Sequence, residues 1–231
     1  MRLDKFLCDN AALSRSEAKK AIASSHVLVN GNICKRPDAK IDETIDVIKY
    51  DSRIIKYEKY VYFMLNKPAG YVSANVDSQS LTVIDLFKSE GRKNLSCVGR
   101  LDKDTTGLLI VTDDGDLIHR LTSPKSDIYK KYLVSVSKPV TLEDKALLES
   151  GVDIHDDEIT KPAIVNIIDD STIELSISEG RFHQVKRMLI AVGNEVTALK
   201  REAIGDVVLD DNLLPGEYRR LTDKELNLLN N

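Results

Sequence analysis

The densest group of chemically capable side chains is the run Gly99-Arg100-Leu101-Asp102-Lys103-Asp104-Thr105-Thr106-Gly107, which leads through Leu108–Thr112 to Asp113-Asp114-Gly115-Asp116. Five aspartates at this spacing can be read as a metal cradle. Asp102, Asp104, Asp113, Asp114 and Asp116 could together hold two Mg²⁺ ions, as a nuclease would require. They can equally be read as turn chemistry, with Asp102 one loop aspartate among several and Asp114-Gly115 an ordinary turn. Two further stretches carry useful groups. Lys131-Tyr132-Leu133-Val134 sets a phenol in an apolar strand, where a core tyrosine would also fit. In Glu179–Met188, Arg181 follows the turn Glu179-Gly180, and Lys186 and Arg187 lie about one helical turn further on. Those two cations suit phosphate contacts, or a solvated helix face.

The elements that must position these groups follow from periodicity. Residues 1–57 read as a small α/β unit. Leu3, Phe6 and Leu7 share one face of a short helix, and Ser14 with Glu17 forms a capping box ahead of a second helix through Ala18, Ala21 and Ile22. Val27-Leu28-Val29 and Asn32-Ile33-Cys34 flank Asn30-Gly31, a hairpin signal, and Asp46-Val47-Ile48 adds a strand. Basic residues ride on both helices: Arg2 and Lys5 on the first, Arg15, Lys19 and Lys20 on the second. Residues 50–59 read as a polar linker. Beyond it come short strands at 60–65, 95–98, 108–112, 132–136, 163–168 and 172–178. Helices fall between them near 83–88, 117–121, 142–150 and 183–192. This pattern predicts an α+β fold with a mainly antiparallel sheet over 58–231.

Composition narrows the function classes. With 42% hydrophobic and 30% charged residues in 231, the chain can bury a core. It has no apolar run of about 18 residues, and the start Met1-Arg2-Leu3-Asp4-Lys5 lacks a signal-peptide core, so a cytoplasmic protein without a membrane partner is expected. Cys8, Cys34 and Cys97 are far apart, as are the four histidines, so neither a disulfide framework nor a His/Cys metal site is expected. There is no Gly-x-Gly-x-x-Gly and no phosphate-cradling Gly-Lys-Ser/Thr loop, and no cofactor is expected. No dimerisation helix stands out, and a monomer is expected. The net charge of −4 conceals local basic groups. Residues 1–36 hold seven basic residues against three acidic ones, and 120–138 hold Arg120, Lys125, Lys130, Lys131 and Lys138 against Asp127. Grouped charge of this kind suits a nucleic-acid partner.

Longer motifs carry a family resemblance. Arg2-Leu3-Asp4-Lys5-Phe6-Leu7, Ser14-Arg15-Ser16-Glu17-Ala18 and Val27-Leu28-Val29-Asn30-Gly31 resemble the S4 RNA-binding domain. Four later motifs resemble, in order, those of bacterial RNA pseudouridine synthases. They are Asn66-Lys67-Pro68-Ala69-Gly70, Gly99-Arg100-Leu101-Asp102 with Thr106-Gly107-Leu108-Leu109, Lys131-Tyr132-Leu133-Val134, and Glu179-Gly180-Arg181-Phe182-His183-Gln184-Val185-Lys186-Arg187-Met188. Lys131 departs from the threonine that many relatives carry there. The compact length, the S4-like start and the ending Leu214-Pro215-Gly216-Glu217-Tyr218-Arg219 resemble the RsuA family most.

The resemblance implies a catalytic domain after the S4-like unit and a reaction needing neither cofactor nor metal. The bond from ribose C1′ to uracil N1 breaks, the base turns, and C5 rejoins C1′. It implies Asp102 as the ionised carboxylate, which attacks C1′ or C6 or takes a proton from C2′. Arg181 is implied as the cation beside it, Tyr132 as the ring under the flipped base, and Arg100 as the group filling the gap left in the RNA. Arg2, Lys5, Arg15, Lys19, Lys20, Lys186 and Arg187 are the expected RNA contacts. The implied partner is small-subunit (16S) ribosomal RNA or an assembly intermediate, with uridine 516 as target. A sister synthase of 23S RNA, a metal-dependent nuclease and a non-catalytic RNA-binding assembly factor are the alternatives. A bare binder would not need the second domain with its carboxylate, arginine and tyrosine motifs.

Overall fold

The computed structural model describes residues 1–92, 94–123 and 126–230. Lys125 of the second basic group lies outside them. The chain divides into two compact units, Met1–Val61 with Ile84–Leu95, and Tyr62–Val83 with Ser96–Asn231. A single cut between 57 and 58 was expected from the sequence. The first unit also takes in the segment Ile84–Leu95, much of it within a 3-10 helix, Val83–Glu90.

In the first unit, helices α1 (Leu3–Asn10) and α2 (Arg15–Ala23) accompany four strands, β1 (Val27–Val29), β2 (Asn32–Ile33), β3 (Ile48–Tyr50) and β4 (Arg53–Ile55). The strands form an antiparallel sheet in the order β2-β1-β3-β4. Leu3, Phe6 and Leu7 of α1 meet Ala18 and Ile22 of α2 and Val27 and Ile48 of the sheet in one closed core. Each fully buried aliphatic or aromatic side chain there contributes roughly 1.5–3 kcal/mol. The capping box forms: the Ser14 hydroxyl accepts from the Glu17 amide, and the Glu17 carboxylate accepts from the Ser14 amide. Asn30 and Gly31 both have positive φ, +52° and +83°, which matches the twist a two-residue hairpin needs. Residues 50–59, expected as a linker, instead begin with a strand. Arg53–Ile55 turns back on β3 through Asp51 and Ser52.

The second unit is a nine-stranded sheet of β5 (Tyr62–Lys67), β6 (Ser96–Cys97), β7 (Thr106–Thr112), β8 (Lys130–Val136), β9 (Ile164–Asp169), β10 (Thr172–Ile177), β11 (Val196–Ile204), β12 (Val207–Val208) and β13 (Tyr218–Arg220). Its main order is β13-β5-β7-β11-β8-β10-β9, with β6 on β7 and β12 on β11. Among the described residues, every pairing is antiparallel except β7 with β11. The α+β, mainly antiparallel architecture therefore holds. Helices α3 (Gly115–Thr122), α4 (Leu142–Ser150), α5 (Gln184–Ala191) and α6 (Asp223–Asn230) complete the unit.

Strand β7 is buried through Leu108, Leu109, Ile110 and Val111, as a strand covered on both faces should be. Its Leu108 and Ile110 pack with Met64, Leu117, Leu121, Ile204 and Leu229. Strands β8 and β10 alternate instead, burying Tyr132, Val134 and Val136 and then Ile173, Leu175 and Ile177. At the start of β7, Gly107 takes φ +97°, and a Cβ there would lie 2.2 Å from the Arg201 carbonyl oxygen of β11. Only glycine allows the parallel pair to close at that point.

Candidate active site

The loop entering β7 is fixed through its backbone. The Ser73 hydroxyl donates to the Leu101 carbonyl at 2.9 Å and accepts from the Leu101 amide at 3.0 Å. The Gly70 amide donates to the Lys103 carbonyl at 2.7 Å. Beneath the loop lies Lys67, the last residue of β5, with 0% exposure. Its ammonium donates to the carbonyls of Thr105 (2.8 Å), Asp102 (3.1 Å), Pro68 (3.2 Å) and Lys103 (3.3 Å). Burial lowers its pKa to about 8, against the opposing pull of Asp104 and Asp102. The three N–H donors of the ammonium are shared among these four carbonyls, so one buried side chain serves the whole turn.

With its backbone held, Asp102 lines an open cleft. Arg100, Thr105, Tyr132, Arg181, His183 and Leu199 are among the lining residues. The carboxylate is partly covered, with 26% side-chain exposure. Two cationic or potentially cationic groups face it: Lys186 Nζ at 3.4 Å and His183 Nε2 at 3.6 Å. Lys186 also donates to both oxygens of Asp104, at 2.7 and 2.8 Å. That bond holds Asp104 below the usual carboxylate range. Burial pulls the Lys186 ammonium down, but its bonds to Asp104 outweigh this and leave it raised.

Arg181 lines the same cleft, but its guanidinium points elsewhere, which corrects the pairing expected with Asp102. Nε donates to Glu179 at 3.1 Å, while Nη1 and Nη2 donate to the carbonyls of Glu158 (2.5 Å) and Ile159 (2.9 Å), with Asp156 3.6 Å away. Three acceptors on two segments outcompete a carboxylate that already has Lys186. Arg187 is engaged in the same way, donating to Asp156, to the Ile154 carbonyl and, at 2.9 Å, to the Phe182 carbonyl. Among the described residues no ion pair joins either arginine to Asp102.

The other expected residues fall as follows. Tyr132 lies on β8 with 8% exposure, directly across from Arg201 of β11, and its ring forms part of the cleft wall. Arg100 is exposed at the rim. In the first unit, Lys5, Arg15, Lys19 and Lys20 are exposed on α1 and α2. Arg2 is different: Nε and Nη2 donate to the buried Asp4 at 2.9 and 2.8 Å. The Arg2 hydrogen bond holds the Asp4 carboxyl below its usual range.

The acidic group is not one cluster. Asp102 and Asp104 precede β7, while Asp113, Asp114 and Asp116 follow it, a seven-residue strand of roughly 23 Å away. Asp114 caps α3, accepting from the amides of Asp116 and Leu117, and accepts from the Tyr62 hydroxyl at 2.8 Å. A shared metal cradle is thereby removed. Sequence reasoning missed Lys67 and His183 as site residues, though each stands inside one of the motifs: Asn66-Lys67-Pro68 ends a strand, and Phe182-His183 opens a helix.

Comparison with known proteins gives a consistent answer. Residues 61–191 match the family model described as RNA pseudouridylate synthase, and residues 1–44 match the S4 domain. The chain is 46% identical over 230 residues to the ribosomal small subunit pseudouridine synthase A of Haemophilus influenzae, covering 99% of each. It is 43% identical over 227 residues to the protein of the same name from Salmonella typhimurium, covering 98% of each. A crystal structure of a pseudouridylate synthase superposes with a TM-score of 0.70 at 45% identity, covering 99% of both chains.

Proposed function

The chain belongs to the RNA pseudouridylate synthase family and begins with an S4 domain; from this we propose that it converts a uridine of small-subunit (16S) ribosomal RNA to pseudouridine, at uridine 516, with Asp102 as its catalytic carboxylate. In this reading residues 1–57 are the RNA-binding domain and 58–231 the catalytic domain. The protein acts in the cytoplasm as a monomer. Among the described residues no helix is long and apolar enough to cross a membrane.

The observation that carries the proposal is the setting of Asp102. Its backbone is clamped, and its carboxylate stands in a cleft beside Lys186 and His183, with the Tyr132 ring in the wall. A flipped uridine seated there would present its glycosidic bond to the carboxylate. The N1–C1′ bond breaks and the C5–C1′ bond forms. The proton leaving C5 is balanced by the one gained at N1, so the product is an isomer. Lys186 sets its ammonium 3.4 Å from the carboxylate, and the His183 imidazole stands 3.6 Å away. Tyr132 offers the ring for the extruded base, which offsets part of the unstacking cost. Arg181 acts one step back, tying Glu179 to the 156–159 segment and so holding the cleft wall. Arg100 is assigned to the space the base vacates.

The test is Asp102→Asn. Conversion of 16S RNA should fall by at least about 10²–10⁴-fold, the range for a lost proton-transfer or nucleophilic group, while RNA binding persists. Conversion at the wild-type rate removes Asp102 from the chemistry. Mapping pseudouridine in cells lacking the protein reads the target. A missing modification in 23S instead of 16S RNA would move the substrate assignment and leave the enzyme class standing.

A further inference from the structure

The proposed reaction gives no task to Phe182, yet this ring is unusually placed. It is 72% exposed, whereas its chain neighbours are held: Arg181 by Glu179 and two carbonyls, and Phe182's own carbonyl by Arg187. A single exposed phenylalanine needs no explanation in itself. Here one face of the ring lies on the His183 imidazole, with centroids 3.8 Å apart and planes 18° apart. The same imidazole stands 3.6 Å from Asp102. His183, at the start of α5, has a left-handed backbone, φ +49° and ψ +34°. Non-glycine residues visit that region rarely, and such outliers persist where the surroundings enforce them.

We propose that Phe182, backed by His183, is a stacking subsite for an unpaired nucleobase adjacent to the uridine in the Asp102 cleft, a reading that rests on the function proposed above. The pair extends the cleft outward by one aromatic layer. Its inner ring touches the carboxylate site, and its outer ring presents itself to solvent. Arg100, exposed at the rim, supplies positive charge for the strand that connects two such bases. An aromatic platform flanked by cations is how proteins hold single-stranded nucleic acid without reading its sequence. The ring is also anchored in advance, so little ordering cost falls on the complex.

The experiment measures the Kd, KM and kcat of the full-length protein on a synthetic RNA fragment spanning the proposed target uridine. A second set of fragments carries an abasic residue at each flanking position in turn. Phe182→Ala should weaken binding about tenfold or more, in line with the loss of one stacked base, with a larger effect on KM than on kcat. Phe182→Trp should bind like wild type. Phe182→Leu, which keeps the bulk but not the ring, should resemble Ala. At one flanking position the abasic RNA should lower wild-type affinity to the level of Phe182→Ala and cost that variant nothing more. Equal affinity for wild type, Ala and Leu, or additive losses at every flanking position, would overturn the subsite. Because Kd is read without turnover, a wild-type protein that bound but made no pseudouridine would sink the proposed function while leaving this result to stand or fall by itself.

Discussion

Two sets of basic residues in this protein are built on opposite plans. Lys5, Arg15, Lys19 and Lys20 stand exposed on α1 and α2, and among the described residues none of them forms an ion pair. In the synthase unit, Lys67 is consumed by four carbonyls, Lys186 by two aspartates, and Arg181 and Arg187 by Asp156 and nearby backbone. The first set is free to meet phosphates, which supply affinity without sequence choice. The second set has already committed its bonding capacity to shaping a cleft. Loss of a helix cation should therefore change how tightly RNA binds, and loss of a cleft cation should change what the enzyme does or whether it folds.

The most severe test of that division is Lys67→Met. It strands buried carbonyls at a cost of roughly 1–3 kcal/mol each, so urea unfolding should show several kcal/mol lost. A loss under about 1 kcal/mol would mean the loop does not depend on the clamp. Its pH signature is specific. The folded-state pKa is lowered to about 8 from 10.5. Between these values the unfolded chain binds more protons, and stability attributable to this group rises with pH. Over the same range the amine goes from three N–H donors to two, so the carbonyl clamp loses a donor and turnover should fall as pH passes about 8. Wild type and Lys67→Met should differ in both slopes; parallel profiles would reassign the titration.

Next in size is Lys186→Met, which removes the ammonium 3.4 Å from Asp102 and leaves the His183 imidazole beside it. We expect kcat to drop about tenfold or more with KM little affected; a change confined to KM would place Lys186 with the helix cations. Replacing Arg15, Lys19 and Lys20 together with glutamine should then flatten the dependence of log affinity on log salt by about 0.7–0.9 for each phosphate left without its cation. An unaltered slope would take α2 out of the interface. The smallest effect is Ser14→Ala, which opens the α2 cap and should cost about 1 kcal/mol in thermal unfolding, with kcat unchanged.

How far each region was legible in the sequence follows the same line. The capping box at Ser14 and the Asn30-Gly31 hairpin are local, and local chemistry is written in adjacent residues. Strands β8 and β10 announce themselves by alternation. Strand β11 does not, because Lys200, Arg201 and Glu202 stand in its middle and read as surface. Yet Arg201 is 4% exposed, and its Nε donates to the Leu108 carbonyl at 2.8 Å. The linker reading of 50–59 failed for a different reason: the edge strand Arg53–Ile55 is only three residues long, too short to show a period, and polar residues flank its two isoleucines. In the cleft, motifs identify which residues gather there but not which partner each chooses. Arg181 has a long side chain with several acceptors in reach, and the choice among them belongs to the tertiary structure.

The glycine at the head of β7 has a consequence for how this protein can vary. Residue 107 sits where two strands running in the same direction come closest, a few positions after the aspartate loop. Any larger residue would act as a wedge at the hinge of that loop. A saturation library across 99–112 should therefore recover no functional clone altered at this codon, even where exposed neighbours such as Lys103 accept many replacements.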